Sequence, residues 1–155
     1  MTSVLFVCTG NICRSPTAEG VVKQIIKNND LSTFIEVDSA GTHGYHVGEP
    51  PDRRSQLAAL KRGIDISLLR ARQVQPIDFK RFDLLLAMDR DHLAVLNRDC
   101  PPEYREKLGL FMRYASRFKI DEVPDPYYGG TQGFEIVLDM IEDAASGLIA
   151  NLRSR

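Results

Sequence analysis

The sequence predicts an α/β fold: a single-domain three-layer sandwich over residues 1–155, with a central, mostly four-stranded parallel sheet flanked by helices. Three observations carry that expectation. Short apolar runs alternate along the chain with stretches of helical periodicity. The length of 155 residues suits one domain with a substantial core, and the 43% apolar and 26% charged content is ordinary for a globular protein. Neither an internal repeat nor a low-complexity tract breaks the alternation.

Val4 to Val7 is a continuous apolar run rich in β-branched residues, which suits a strand covered on both faces. Around and after Pro16, the residues Ala18, Val21, Val22, Ile25 and Ile26 recur at helical spacing, and proline is tolerated near a helix start because its missing N–H would be unpaired there. The unit repeats: Phe34 to Ala40 reads as a strand, and Ser55 to Arg62 as a helix stopped by Gly63. Phe82 to Met88 reads as the third strand. Asp89 then either caps a helix carrying Leu93 and Leu96 or reaches Arg14 from the strand's end. "KLGLF" gives a short fourth strand, and Phe134, Val137, Leu138, Ile141, Ala145, Leu148, Ile149 and Leu152 form one helical stripe that must pack on the sheet. Such an order is flavodoxin- or Rossmann-like, with ligands bound beyond the carboxyl ends of the strands where the winding direction switches. Cys8 lies at such an end, and the loops 44–51 and 124–133 are rich in proline, glycine and tyrosine.

Charge narrows the partners. Twenty basic residues against 21 acidic ones give a net charge of −1, so no overall basic field favours nucleic acid. The three cysteines, Cys8, Cys13 and Cys100, are an odd number in a chain large enough to need no disulfide staple. The opening "MTSVLFVCTG" has a five-residue apolar run without a basic flank, and no stretch approaches the ~20 apolar residues of a membrane span. These features predict a cytoplasmic protein with no membrane partner.

Between Cys8 and Arg14 lie Thr9, Gly10, Asn11, Ile12 and Cys13, and Gly10 and Asn11 readily accept left-handed backbone conformations. A loop curled in this way and feeding a helix turns successive N–H groups inward. Together with the helix dipole they form a nest for an anion the size of phosphate. Arg14 adds a planar fork matched to two phosphate oxygens. Such a field favours a thiolate over a thiol, which makes Cys8 a candidate nucleophile, and Ser15 is placed to donate its hydroxyl to the sulfur. The competing reading is a small buried cysteine in a tight turn. The pattern lacks the G-K-[ST] of a nucleotide phosphate loop, and Cys8 and Cys13 have no second pair with which to hold a metal. No cofactor is called for. Because Cys8 and Cys13 flank one curled loop, peroxide is expected to join them in a reversible disulfide, unless Cys13 merely packs beneath the loop.

The segments "VLFVCTGNICRSP", "DSAGT" at 38–42, "HVGEPPD" at 46–52, "ARQV" at 71–74 and "DPYYGG" at 125–130 together resemble the low-molecular-weight protein-tyrosine phosphatases of bacterial type, in the family's order and over essentially the whole chain. The resemblance implies hydrolysis of phosphotyrosine and aryl phosphate monoesters through a phosphocysteine on Cys8. The oxyanion would be held by the 9–15 backbone and Arg14, and Asp125 would serve as proton donor to the leaving phenolate and then as base for water. It further implies that Tyr45, Tyr127 and Tyr128 wall the cleft and that aliphatic Ile12 favours an aromatic substrate. Asn11, Ser15 and Ser39 would brace the loop. Partners would then be tyrosine-phosphorylated proteins and phosphate-like oxyanions, and the enzyme would be a monomer with at most weak self-association.

Two rival activities share this scaffold. Arsenate reduction needs a relay of further thiols, and residues 75 to 95 contain none. A binding-only role is disfavoured by the joint presence of Cys8, Arg14 and Asp125. One departure stands out: many bacterial relatives read "HRARQ" where this chain reads "LRARQ", so Leu69 replaces a histidine of the family's loop support. Asn11 is therefore expected to depend mainly on Ser15 and Ser39.

Overall fold

The structure, a computed structural model, describes residues 1–128 and 130–154, without the side chains of Tyr128 and Thr131. Four strands, β1 (Thr2–Cys8), β2 (Ile35–Gly41), β3 (Leu84–Ala87) and β4 (Leu108–Leu110), form one parallel sheet in the order β2-β1-β3-β4. Among the described residues, five α-helices accompany it: α1 (Arg14–Asn28), α2 (Arg53–Leu60), α3 (Pro76–Arg81), α4 (Arg90–Asp99) and α5 (Gly130–Arg153).

Side chains alternate across the sheet because successive residues of a strand point to opposite faces. Val4, Phe6, Leu84 and Leu86 pack with α1, α2 and α5 in the larger core, whereas Leu5, Val7, Leu85 and Ala87 pack with Phe79, Phe82 and Leu96 in the smaller one. Burial on both faces explains why the strands read as unbroken apolar runs. β1 runs beside both β2 and β3, with Val4 opposite Val37 on one side and Leu84 on the other. The chain's winding therefore reverses at β1, and the carboxyl end of β1 opens into the crevice where α/β sheets bind ligands.

Differences from the sequence reading concern boundaries and one helix. α1 begins at Arg14, so Pro16 is its third residue, still within the first turn, where N–H groups lack intrahelical acceptors. α2 starts at Arg53, two residues earlier than expected, because Asp52 caps it by accepting from Arg54 N–H at 2.8 Å. Gly63 does adopt a left-handed φ of 80° just beyond it. The six residues of α3 were not foreseen. They start at Pro76 behind a reciprocal cap between Gln75 and Asp78.

Candidate active site

Cys8 ends β1 and Arg14 begins α1, so the intervening loop must turn the chain between two rigid elements in five residues. Asn11 takes the left-handed conformation at φ 58°, the strained point of that turn. Carbonyls at both ends of the loop are paired outward. Cys8 O accepts from Thr42 N–H at 2.8 Å, Thr9 O from His43 N–H at 3.0 Å, Ile12 O from Asp52 N–H at 2.7 Å, and Cys13 O from the Thr17 hydroxyl at 2.7 Å. Its donors are not. None of the backbone N–H groups of Thr9 to Cys13 donates to a described protein atom. Buried or semi-buried N–H groups left without acceptors are costly unless a ligand or water accepts from them. A side of Gly41 also has to be bare, since a Cβ there would stand 2.7 Å from Thr9 O.

The side chain of Asn11 props the loop from behind. Its Oδ1 accepts from Arg72 N–H at 3.0 Å, which fixes the amide's orientation, so Nδ2 donates to Ser15 Oγ at 2.8 Å and Ser39 Oγ at 2.9 Å. Ser39 Oγ passes its own proton to the buried Glu19 at 2.6 Å, and Glu19 pairs with Lys23. Ser15 Oγ, an acceptor from Asn11, keeps its proton available for Cys8 Sγ at 2.9 Å. Beside the two serines on which Asn11 was expected mainly to depend, the Arg72 backbone is a third partner, and Leu69 packs against the larger core.

Arg14 is buried, and its five N–H groups can be counted. Nη1 uses both hydrogens, on Asp89 Oδ2 at 2.8 Å and Val123 O at 2.9 Å, and Nη2 lies 3.4 Å from His92 Nε2. What remains is one edge, the Nε–H and the second Nη2–H, spaced to span two oxygens of one anion. Asp89 therefore fills both roles the sequence left open: Oδ1 caps α4 by accepting from His92 N–H at 3.0 Å while Oδ2 holds Arg14. Burial works to raise the Asp89 pKa, but the His92 N–H, the imidazole and the Arg14 guanidinium outweigh it and hold the carboxyl below its usual range.

Cys8, Thr9, Gly10, Ile12, Cys13, Arg14, Tyr45, His46, Asp125 and Tyr127 line one open cavity of about 250 Å³. Tyr45 stands at its rim, 72% exposed and stacked on His43 with ring centres 5.0 Å apart. Tyr127 is anchored: its hydroxyl donates to Asp52 Oδ2 at 2.9 Å, and the Arg54 guanidinium lies over its ring. Asp125 Oδ1 accepts from Tyr127 N–H at 3.0 Å, which sets that carboxyl at the start of a short 3₁₀ turn, Pro126–Tyr128. The Tyr128 side chain lies outside the described residues. Beneath the loop, burial pushes the Cys13 thiol up to about 11, and the hydroxyls of Tyr127 and Ser55 oppose this only in part. All three thiols are free, and Cys100 sits in the smaller core, across the sheet from Cys8.

Four contributors escaped the sequence reading: Glu19, Arg72, His92 and the Val123 carbonyl. Only His92 had a local signal, three residues after a cap-forming Asp89.

The model of the family described as low molecular weight phosphotyrosine protein phosphatase matches residues 3–155. The chain belongs to that family. It is 43% identical over 155 residues to the low molecular weight protein-tyrosine-phosphatase of Streptomyces coelicolor, covering 98% of this chain and 94% of that protein. To the human low molecular weight phosphotyrosine protein phosphatase it is 42% identical over 137 residues, covering 87% and 85%. A crystal structure of a protein tyrosine phosphatase from Entamoeba histolytica, with Hepes in its active site, superposes with a TM-score of 0.96 at 43% identity, covering 99% of this chain and 98% of that one. Within this phosphatase family member, the cavity at the end of β1 gathers the Cys8 thiol, the Arg14 guanidinium and the Asp125 carboxyl. No helix among the described residues is long and apolar enough to cross a membrane.

Proposed function

We propose that residues 1–155 act as one cytoplasmic phosphatase domain that hydrolyses phosphotyrosine and aryl phosphate monoesters through a phosphocysteine on Cys8. The observation that carries this reading is the run of acceptor-free N–H groups from Thr9 to Cys13 around a sulfur already hydrogen-bonded by Ser15, with one edge of Arg14 left open. A tetrahedral dianion supplies the acceptors that the protein does not.

In the first step the Cys8 sulfur attacks phosphorus and the P–O bond to the phenol breaks. The protonated Asp125 carboxyl gives its proton to the departing oxygen. In the second, water attacks the phosphocysteine, Asp125 takes a proton from that water, and the S–P bond breaks to return the thiolate to the Ser15 hydroxyl. Neither step needs a cofactor. Donors fixed before reaction cost no reorganisation when charge spreads over the equatorial oxygens. Positioned proton transfer by Asp125 contributes about 10²–10⁴-fold. Tyr45 and Tyr127 give the cavity aromatic walls, and Ile12 an aliphatic floor edge, which suits a phenyl phosphate better than a short alkyl one.

The same site supports a redox proposal: peroxide oxidises Cys8 to a sulfenic acid, and the Cys13 thiolate attacks its sulfur and displaces hydroxide, which takes a proton from solvent, to form a disulfide that thiols reduce.

Rapid-quench mass spectrometry on a phosphotyrosine peptide tests the mechanism. A phosphoryl group on the Cys8 peptide, absent in Cys8→Ser, is the expected result, and full turnover by Cys8→Ser would reject it. Asp125→Ala should slow phosphotyrosine hydrolysis far more than hydrolysis of esters with strongly acidic leaving phenols. Equal losses across that series would remove Asp125 from the acid role.

A further inference from the structure

The mechanism leaves one buried titratable side chain beside the reacting groups unused. His92, 4% exposed on the first turn of α4, places Nε2 2.7 Å from Thr9 Oγ1 and 3.4 Å from Arg14 Nη2. Its Nδ1 lies 3.1 Å from Asp89 Oδ1, too poorly aligned for a hydrogen bond, and has no other partner among the described residues.

These neighbours decide the tautomer. A proton on Nε2 would face the hydrogens of a guanidinium and would leave the Nδ1 lone pair against a carboxylate oxygen. A proton on Nδ1 instead lies beside that carboxylate, attracted by its charge without a hydrogen bond, and the Nε2 lone pair then accepts from the Thr9 hydroxyl and, more weakly, from Arg14 Nη2–H.

We propose that His92 is a positioning residue for the oxyanion site, its Nδ1-protonated imidazole fixing the plane of the Arg14 guanidinium and tying Thr9, the first residue of the phosphate loop, to α4. The proposal rests on the phosphatase reading for its kinetic consequences, though not for the tautomer. The geometric need is specific. Asp89 and Val123 both hold Arg14 at Nη1, and two bonds to one nitrogen define a pivot about which the guanidinium plane can still tilt. A contact at Nη2 stops that tilt and consumes the outer hydrogen, so that the inner Nη2–H and Nε–H face the anion together. The same imidazole reaches the opposite lip of the nest through Thr9. His92 touches no reacting atom, and its effect passes through these two residues.

The test compares the wild-type protein with His92→Leu and His92→Gln, using p-nitrophenyl phosphate and a phosphotyrosine peptide as substrates and inorganic phosphate as competitive inhibitor. Leucine keeps the buried volume but accepts no hydrogen bond. Glutamine can place its carbonyl oxygen near the position of Nε2. His92→Leu should lose about ten-fold in kcat/KM on both substrates alike, with the phosphate inhibition constant raised by a similar factor, as expected for one hydrogen bond to a charged group. His92→Gln should regain most of both.

Unchanged phosphate inhibition in His92→Leu, or a glutamine variant as poor as the leucine one, would overturn the proposal. Failure of the wild-type protein to hydrolyse either ester would instead reject the phosphatase reading. If His92→Leu does not fold, nitrogen-15 NMR of wild-type His92 at pH 7 still decides: a neutral ring protonated at Nδ1 is required, and a proton on Nε2 overturns the assignment.

Discussion

The Ser15 hydroxyl lies 2.9 Å from the Cys8 sulfur, and a third residue decides what that hydroxyl has left to offer it. Arg72 N–H must face an oxygen, so it fixes the Asn11 amide with its NH₂ toward Ser15, and Ser15, accepting there, has its own proton free to donate to the sulfur whenever that sulfur is a thiolate. A backbone group sixty-one residues downstream of Asn11 therefore orients the amide that donates to Ser15 beside the Cys8 sulfur.

That arrangement predicts which step Ser15 serves. In the proposed mechanism its donor matters most when charge returns to sulfur as the S–P bond breaks. Ser15→Ala should slow breakdown of the phosphocysteine by about 10–100-fold, the worth of a hydrogen bond to a charged group at roughly 1.5–3 kcal/mol. Pre-steady-state kinetics with p-nitrophenyl phosphate should show a burst of phenol followed by slow turnover. A uniform slowing with no burst would mean that Ser15 acts on attack or on the loop's shape instead.

Ser39 stands one bond further back and serves two buried groups, accepting from Asn11 and donating to Glu19. Ser39→Ala leaves an amide hydrogen and a carboxylate oxygen unpaired, a cost of about 1–3 kcal/mol. A lower melting temperature and a lower kcat are expected, with saturating phosphate restoring part of the stability by occupying the nest. Because Arg72 N–H still holds Asn11, the loss of kcat should stay below that of Ser15→Ala. Equal melting curves for the variant and the wild type would show that this chain of hydrogen bonds does not brace the loop.

What the sequence made legible was local. Cys8 to Ser15 could be read because strand end, left-handed residue, guanidinium and helix start fall within eight consecutive positions, each with its own conformational signal. Strands buried on both faces were visible as apolar runs, while six-residue α3 was too short to show a period. Asp89 was legible as a cap, but its reach to Arg14 depends on β1 and β3 being neighbours, which no local pattern states. Arg72 contributes a backbone N–H that any residue except proline could supply, so its side-chain identity carried no signal. For Leu69, the missing histidine was visible, but its apolar neighbours and the Arg72 contact to Asn11 were not.

Cys13 gives the redox proposal a pH signature. Burial raises this thiol to about 11, so below that pH only a small thiolate fraction is available to attack an oxidised Cys8. Once Cys8 is a sulfenic acid, the rate of crosslinking should rise about ten-fold per pH unit across the neutral range and level off near pH 11. At low pH and high peroxide, over-oxidation should compete with the disulfide. Mass spectrometry of peroxide-treated protein across pH would show it. A crosslinking rate independent of pH would mean that the ionisation of Cys13 does not limit closure.

His92 supplies a second pH dependence, in stability rather than rate. Burial first, and then the Arg14 charge, lower its pKa to about 4, with Asp89, Asp91 and Asp125 pulling the other way. In the unfolded chain the imidazole takes up its proton near pH 6.5. Between these values the unfolded state binds more protons, so the contribution of neutral His92 is fully present above about pH 6.5 and is lost as pH falls toward 4. The full loss is up to about 3 kcal/mol, since each ten-fold difference in proton affinity between the folded and unfolded chain is worth about 1.4 kcal/mol. Melting temperatures of wild type and His92→Gln between pH 7 and 4 should therefore converge as acid is added, the glutamine variant having the flatter profile. Parallel profiles would mean that the imidazole becomes charged in the folded protein as easily as in the unfolded chain, through an opening of the Arg14–Asp89–His92 cluster.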